Sequence, residues 1–312
     1  MPEFPRPALP RPGGPLFLSD SSLETWLSFE KGVDLPEFAA FPLIETDQGR
    51  AMLGEHWQRH IAIAMEHGTG LILGTPTWRA SADWGARLGY DAAALDRVNQ
   101  ACVMFLQAIR ADAGVDIPLP ISGQLGPRGD GYFPETLLSP EEAEAYHSAQ
   151  IASFAAAGAD MVTAMTLPHS GEATGIARAA AEAGLPCVIA FTTETDGRLP
   201  SGQSLGEAIE TIDAATAASP LYYMINCAHP DHFERVLDPD APWIGRLTGL
   251  RANASRLSHT ELDNAETLDD GDPSELGRLY AALRERLPAL SVLGGCCGTD
   301  TRHLEHVCEA CA

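Results

Sequence analysis

Short apolar runs alternate along the chain with longer stretches in which apolar positions recur every three or four residues. The runs are PLFLS (15–19), GLILGT (70–75), PLPISGQ (118–124), ADMVTAMT (159–166), PCVIAFT (186–192), YYMINCA (222–228), GLRANAS (249–255) and LSVLGG (290–295). Their length and their Gly, Pro and Asp borders predict buried strands. The periodic stretches 50–67, 92–113, 140–157, 172–184, 204–218 and 274–287 predict amphipathic helices. Helix punctuation agrees with this reading. In LSPEEAEAYHSAQIASFAAAGAD, Ser139 is placed to cap, Pro140 takes the first helical position, Glu142 has capping-box spacing and Gly158 ends the helix. DPSELGRLYAALRERLP starts in the same way and stops before Pro288.

Eight strands with intervening helices in a chain of 312 residues predict an α/β fold, a (β/α)8 TIM barrel. An open doubly wound sheet is the alternative, but no G-x-G-x-x-G follows the first strand. Segments 20–46 and 256–273 are too long for ordinary connections and read as loop insertions at the C-terminal face of the barrel. The domain reading is a proline-rich extended arm over 1–14 and a single catalytic barrel over 15–312.

Charge and composition narrow the class. With 43 acidic against 20 basic residues the net charge is −23, which argues against binding nucleic-acid phosphates. No apolar run is long enough to span a membrane. The N-terminal MPEFPRPALPRPGGP lacks the apolar stretch of a signal peptide, so the expectation is a cytoplasmic protein. Seven cysteines, an odd number, speak against a disulfide framework in that setting. Cys102 and Cys187 lie in apolar stretches and read as core residues, while Cys308 and Cys311 form a C-x-x-C on a terminal helix with no partner pair.

The chemistry concentrates where a barrel places it, at the C-terminal ends of strands. The sixth run ends in MINCAHP with Cys227 at its tip, and the eighth in GGCCGT with Cys296 and Cys297. Three thiolates from neighbouring strand tips, with a fourth position open, describe a catalytic zinc site. The flanking glycines are expected to let the backbone turn sharply enough for both consecutive cysteines to face inward. Cys227, His229 and His232 form a competing ligand set, although His232 is expected to point along a helix surface. Three buried free cysteines would explain neither the pairing nor the glycines.

INCAHP around Cys227 and GGCCGT at 294–299 resemble the homocysteine S-methyltransferase family, whose three zinc-binding cysteines they match. FLSDSSLET, TPTWRAS (75–81), SGQLGPRGDGY (122–132) and AFTTETDGRLPSGQSLGEAI (190–209) are similar to its first, second, third and fifth strand-end signatures, so the resemblance covers nearly the whole chain. It implies a methyltransferase of methionine biosynthesis. Zn2+ would be held by Cys227, Cys296 and Cys297, with homocysteine as thiol acceptor and a small onium compound as methyl donor. No cobalamin or folate module is visible, so S-methylmethionine, S-adenosylmethionine or a betaine is the expected donor. Zinc coordination deprotonates the acceptor thiol, so no further general base is expected. The other readings are a zinc-dependent hydrolase and a catalytically diverged zinc- or thiol-binding barrel.

Asp20, Ser22, Glu24, Thr75, Trp78, Asn253 and Gly295 are the candidate substrate-binding residues. Asp20 stands in the acidic position of the first-strand motif and is expected to meet the acceptor's ammonium group. The family usually carries glycines where Ser21 and Ser22 stand. It also commonly ends the fourth strand with a glutamate that helps hold that amino group, and here Met165 takes the place. Glu24, one helical turn after Asp20, is the expected substitute. Trp26, Trp78, Trp84, Tyr132 and Phe133 are candidates for an aromatic wall against an onium cation. Arg79 and Arg128 are expected to pair with Asp83 and Asp130.

Overall fold

A computed structural model describes residues 7–265 and 267–312. All strand pairs are parallel and the strands run in chain order around a closed barrel: β1 Phe17–Leu18, β2 in two parts (Gly70–Leu71 and Leu73–Gly74), β3 Ile121–Leu125, β4 Met161–Leu167, β5 Cys187–Phe191, β6 Tyr222–Asn226, β7 Leu247–Ala252 and β8 Val292–Gly295. Closure rests on β2. Its first part pairs with β1 and its second with β3, and the Ile72 N–H between them still donates to Leu18 O at 2.8 Å. Among the described residues, seven long helices pack around the strands: α1 Asp47–Glu66, α2 Ala92–Ala113, α3 Pro140–Ala156, α4 Ser170–Glu182, α5 Leu205–Thr216, α6 Pro273–Arg286 and α7 Thr301–Cys311. Every expected strand and helix is present. The capping box at Ser139 and Glu142 forms as its spacing predicts.

Two apolar layers follow from the alternation of side chains along a strand. One face packs on the helices, through residues such as Leu71, Ile121, Val162 and Ile225 against Trp57, Val103, Phe154 and Ile176. The other fills the barrel interior with Phe17, Ile72, Met161, Met165, Val188, Ala190, Tyr222, Met224 and Val292. Large side chains there require small neighbours: a Cβ on Gly249 would lie 2.4 Å from Met224 Cγ. At the N-terminal end Leu9 packs on this interior set, and the Ser291 hydroxyl donates to Arg11 O at 2.8 Å.

The insertions shape the opposite end. Residues 20–46 form short helical turns at Leu23–Thr25, Trp26–Glu30, Pro36–Phe38 and Phe41–Glu45. Leu23, Trp26, Leu27 and Phe41 bury a separate apolar cluster against Leu53 of α1 and Val98 of α2. The connection after β6 has no long helix, only the short helix Pro230–Phe233 and the turns Glu234–Val236 and Ile244–Arg246, and in that after β7 a short helix, His259–Asp263, precedes α6. No helix among the described residues is long and apolar enough to cross a membrane.

A buried carboxylate ties the loop after β3 to the barrel. Glu172 accepts the Arg128 N–H at 2.7 Å and the His147 Nε2–H at 2.9 Å. Burial alone would raise its carboxyl; hydrogen bonds from His147, His169 and the Arg128 N–H outweigh this and hold it at about 2. A depressed folded value means stability that is present above the unfolded carboxyl range and is lost as pH falls toward about 2. Thermal unfolding of the wild type should therefore lose on the order of 3 kcal/mol from this group between about pH 5 and pH 2. Glu172→Gln should be less stable at neutral pH and show a flatter acid limb. Parallel acid limbs for the two proteins would contradict this account.

Candidate active site

Three sulfurs meet at the tips of β6 and β8. The Sγ atoms of Cys227, Cys296 and Cys297 all lie within 4.8 Å of one another, and Cys227 and Cys297 are 3.5 Å apart. That separation is too long for a disulfide, about 2.05 Å. It approaches the edge of a tetrahedron with sulfurs about 2.3 Å from a central ion, roughly 3.8 Å. The donor set therefore fits a thiolate-bound metal, and it is the one group of metal-binding type found among the described residues. The competing set is spoken for elsewhere: His229 Nδ1 accepts the Asp231 N–H, and His232 Nε2 donates to Arg256 O at 2.8 Å. His232 is buried rather than on a helix surface, because its helix, Pro230–Phe233, is one turn long and its ring is held against the Arg256 carbonyl.

Main-chain contacts aim the sulfurs. Cys227 has φ +57°, a left-handed conformation that is uncommon for a residue with a Cβ. Its N–H donates to Arg251 O at 3.0 Å, and its carbonyl accepts His259 Nε2–H at 2.8 Å and the Thr192 hydroxyl at 3.2 Å. Beside it, Thr166 is also left-handed and is clamped by both ends of the Asn226 amide, each at 2.8 Å. Of the flanking glycines, Gly298 makes the sharp turn expected, with φ +80°, whereas Gly294 and Gly295 serve differently, since neither has positive φ. They admit close neighbours: a Cβ would fall 1.9 Å from Ser19 Oγ at Gly294 and 2.1 Å from Thr299 Oγ1 at Gly295. Thr299 needs that place, because its hydroxyl donates to Cys296 O at 2.7 Å.

The electrostatics of the trio are uneven. Hydrogen bonds from Cys227 and Cys297, with Arg251 nearby, hold the Cys296 thiol well below its ordinary range. The same bonds raise the Cys297 thiol, where burial and neighbouring thiolate charge add to the effect. Thiolates packed this closely repel one another, and a bound cation would relieve that repulsion. Tyr132 donates its hydroxyl to Cys227 Sγ at 2.8 Å. Burial and the adjacent cysteines push that phenol well up, so it stays a donor.

A cleft opens above the sulfurs, lined by Ser22, Glu24, Phe38, Trp78, Gln124, Tyr132, Met165, Thr166, Arg251 and the three cysteines. Of the candidate substrate residues, Ser22, Glu24 and Trp78 reach it. Asp20, Thr75, Asn253 and Gly295 lie beneath it. Thr75 Oγ1 accepts the Gln124 N–H at 2.9 Å, and the Asn253 N–H donates to Ala228 O. Asp20 is already engaged, taking Arg251 Nη2–H at 3.0 Å and His56 Nε2–H at 3.3 Å. Burial opposes ionisation of Asp20, and Arg251 and His56 overcome it, leaving the carboxyl at about 2. Glu24 contrasts with it: loss of water pushes its carboxyl up to about 7, with Asp20 and Cys296 adding to the rise against Arg251.

Of the aromatic candidates, Trp78 and Tyr132 line the cleft. Trp26 and Trp84 pack away from it, and Phe133 is exposed. Arg128 pairs with Asp83 at 2.7 Å as expected. Arg79 departs from expectation and has no carboxylate within 4.0 Å among the described residues. Its guanidinium stacks instead at 4.0 Å over Trp78 and 3.5 Å over Trp84. The sequence reading missed Arg251, Gln124, Thr166 and Phe38. The signal for Arg251 was present as one cation inside the apolar run GLRANAS.

A family model described as homocysteine S-methyltransferase matches residues 65–311. Among solved structures, the metallated form of the homocysteine methyltransferase MmuM from Escherichia coli superposes with a TM-score of 0.71 at 18% identity, covering 95% of this chain and 96% of that one. Its oxidised form has a TM-score of 0.71 at 19% identity, with 94% of each chain covered. At such identities the structural likeness speaks for the fold alone. The comparison with curated protein sequences returned no significant match.

Because Gly295 is pressed against Thr299, Gly295→Ala should lower stability by about 1–3 kcal/mol, the usual cost of overpacking a tight site. Thermal denaturation measures this. An unshifted midpoint would show that the turn after β8 can yield.

Proposed function

The chain belongs to the homocysteine S-methyltransferase family, and we propose that it moves a methyl group from a small onium donor to the thiol of homocysteine, with a zinc ion held by Cys227, Cys296 and Cys297. The convergence of these three sulfurs at the floor of an otherwise half-apolar cleft carries the reading. A bound zinc ion would supply a deprotonated, electron-rich acceptor sulfur at neutral pH, which a free thiol with a pKa of roughly 8.5 does not offer. The chain's own residues do the rest. Left-handed Cys227 and the compact turn after β8 aim the sulfurs at one point. Tyr132, hydrogen-bonded to Cys227 Sγ, forms a wall that restricts water at that point. No side chain is assigned as a general base.

Glu24 is the acid we assign to the acceptor's ammonium group. Met165 lines the cleft where the family commonly has an acid, and the Asp20 carboxylate is occupied by Arg251 and His56. Glu24 lines the same cleft, and its raised carboxyl would ionise fully on meeting an ammonium ion. Trp78, Tyr132 and Phe38 supply aromatic surface for the onium methyl of S-methylmethionine, S-adenosylmethionine or a betaine.

Zinc-loaded protein incubated with homocysteine and each onium donor should yield methionine, read by mass spectrometry. Failure with all three donors would remove the proposal. Cys227→Ala, Cys296→Ser and Cys297→Ser should each lose most of the metal, as measured by elemental analysis after dialysis. His229→Ala and His232→Ala should keep it, and full zinc occupancy in Cys227→Ala would exclude the three-sulfur site. For the acceptor end, homocysteine should be preferred over 4-mercaptobutyrate, which lacks the amine. Glu24→Gln should raise KM for homocysteine at least about tenfold, as expected for loss of a charged hydrogen bond at a half-buried site. Equal use of both thiols, unaffected by the substitution, would withdraw Glu24 from this role.

A further inference from the structure

Arg251 is a guanidinium inside a barrel strand, 7% exposed, in a run that is otherwise apolar or small. Such a charge is stable only where it is paired and hydrogen-bonded. Two of its partners are Asp20 Oδ1 and Ser21 O, reached by Nη2 at 3.0 and 3.4 Å. The third is unusual: Nη1 donates to Cys296 Sγ at 3.5 Å. Its main chain touches the same trio, since Arg251 O accepts the Cys227 N–H at 3.0 Å. Asp20 is tied into the arrangement a second time, because its carbonyl accepts the Gly295 N–H at 3.1 Å just before Cys296. The ion pair therefore has a direction, with its cationic end on the sulfur and its carboxylate behind, held from the far side by His56.

We propose that Arg251 is a positioning residue that sets the donor strength of Cys296: its N–H···S hydrogen bond draws electron density from that thiolate and offsets the excess negative charge of a three-thiolate metal centre. The inference rests on the three-sulfur reading of the site. Three thiolates around a divalent cation leave one net negative charge, and an acceptor thiolate adds another, in a setting where charge is costly. A hydrogen bond to one ligand spreads that charge without adding a competing ligand, in the way outer partners adjust metal sites generally. Arg suits the task better than Lys, because its fork bridges sulfur and carboxylate at once. Asp20 acts through Arg251, by fixing the fork's orientation.

The test uses the cobalt(II)-substituted full chain, whose sulfur-to-cobalt charge-transfer absorption reports thiolate donor strength directly. The wild type should show that absorption. Arg251→Met should shift it to longer wavelength, Arg251→Lys should shift it less, and Asp20→Asn should shift it in the same direction by a smaller amount than Arg251→Met. Because Arg251→Met leaves Asp20 buried without its partner, the double variant Asp20→Asn/Arg251→Met, which removes both charges, is measured beside it, with near-ultraviolet circular dichroism confirming the native barrel. An unshifted absorption in the folded double variant overturns the role of Arg251 and leaves the metal site standing. Absence of any sulfur-to-cobalt absorption in the wild type overturns both.

Discussion

Three thiols held within 4.8 Å of one another at the mouth of a barrel are first of all an electrostatic problem. Each would repel the others as a thiolate, and burial penalises every one of them. The architecture around them is arranged against that repulsion. β6 delivers Cys227 from below in a left-handed conformation, while two consecutive residues after β8 deliver the other sulfurs. The closeness demands glycine at 294 and 295, because Ser19 and Thr299 occupy the space a side chain would need. Hydrogen bonds from Arg251, Tyr132, Thr192, His259 and Thr299 then fix either a sulfur or the carbonyl next to it.

The two insertions owe their form to the same site. Residues 20–46 carry Ser22, Glu24 and Phe38 to the cleft rim, and they can do so because they bury an apolar cluster of their own against α1 and α2. The segment after β7 brings His259 under the Cys227 carbonyl, where its ring also lies 4.3 Å from that of Tyr132. A loop without such anchors would carry functional residues on a mobile frame. The loop after β3 is anchored by Glu172, so Tyr132 reaches Cys227 from a base fixed in the barrel wall.

The acidic groups of the site divide by environment. Asp20 and Glu24 are four residues apart in the sequence, yet one is held at about 2 by a guanidinium and an imidazole and the other is pushed to about 7 by loss of water. Asp20 is paired with Arg251, whereas the Glu24 carboxyl has no side-chain hydrogen-bond or ion-pair partner among the described residues. The chain thus carries an acid in the cleft although Met165 stands at the fourth strand tip.

The strands, the helices, the barrel and the three cysteines were legible in the sequence, since each follows from local pattern. Alternation and 3.6-residue periodicity are imposed by one layer of packing, and a cysteine pair between glycines at a strand end signals its own chemistry. What escaped the sequence are relations between distant side chains. Asp20 reads as a free acid until Arg251, 231 residues later, is found beside it. Arg79 reads as the partner of a nearby carboxylate until two indoles enclose it. Gly294 and Gly295 read as hinges until the space beside them proves to be filled. The sequence alone determined which strand ends form the barrel mouth and that the three cysteines stand on two of them, because strand period and strand end decide that locally. Only the tertiary structure decided which residues at that mouth are already paired and which remain open to a ligand, because pairing depends on distances across the barrel that no local pattern encodes.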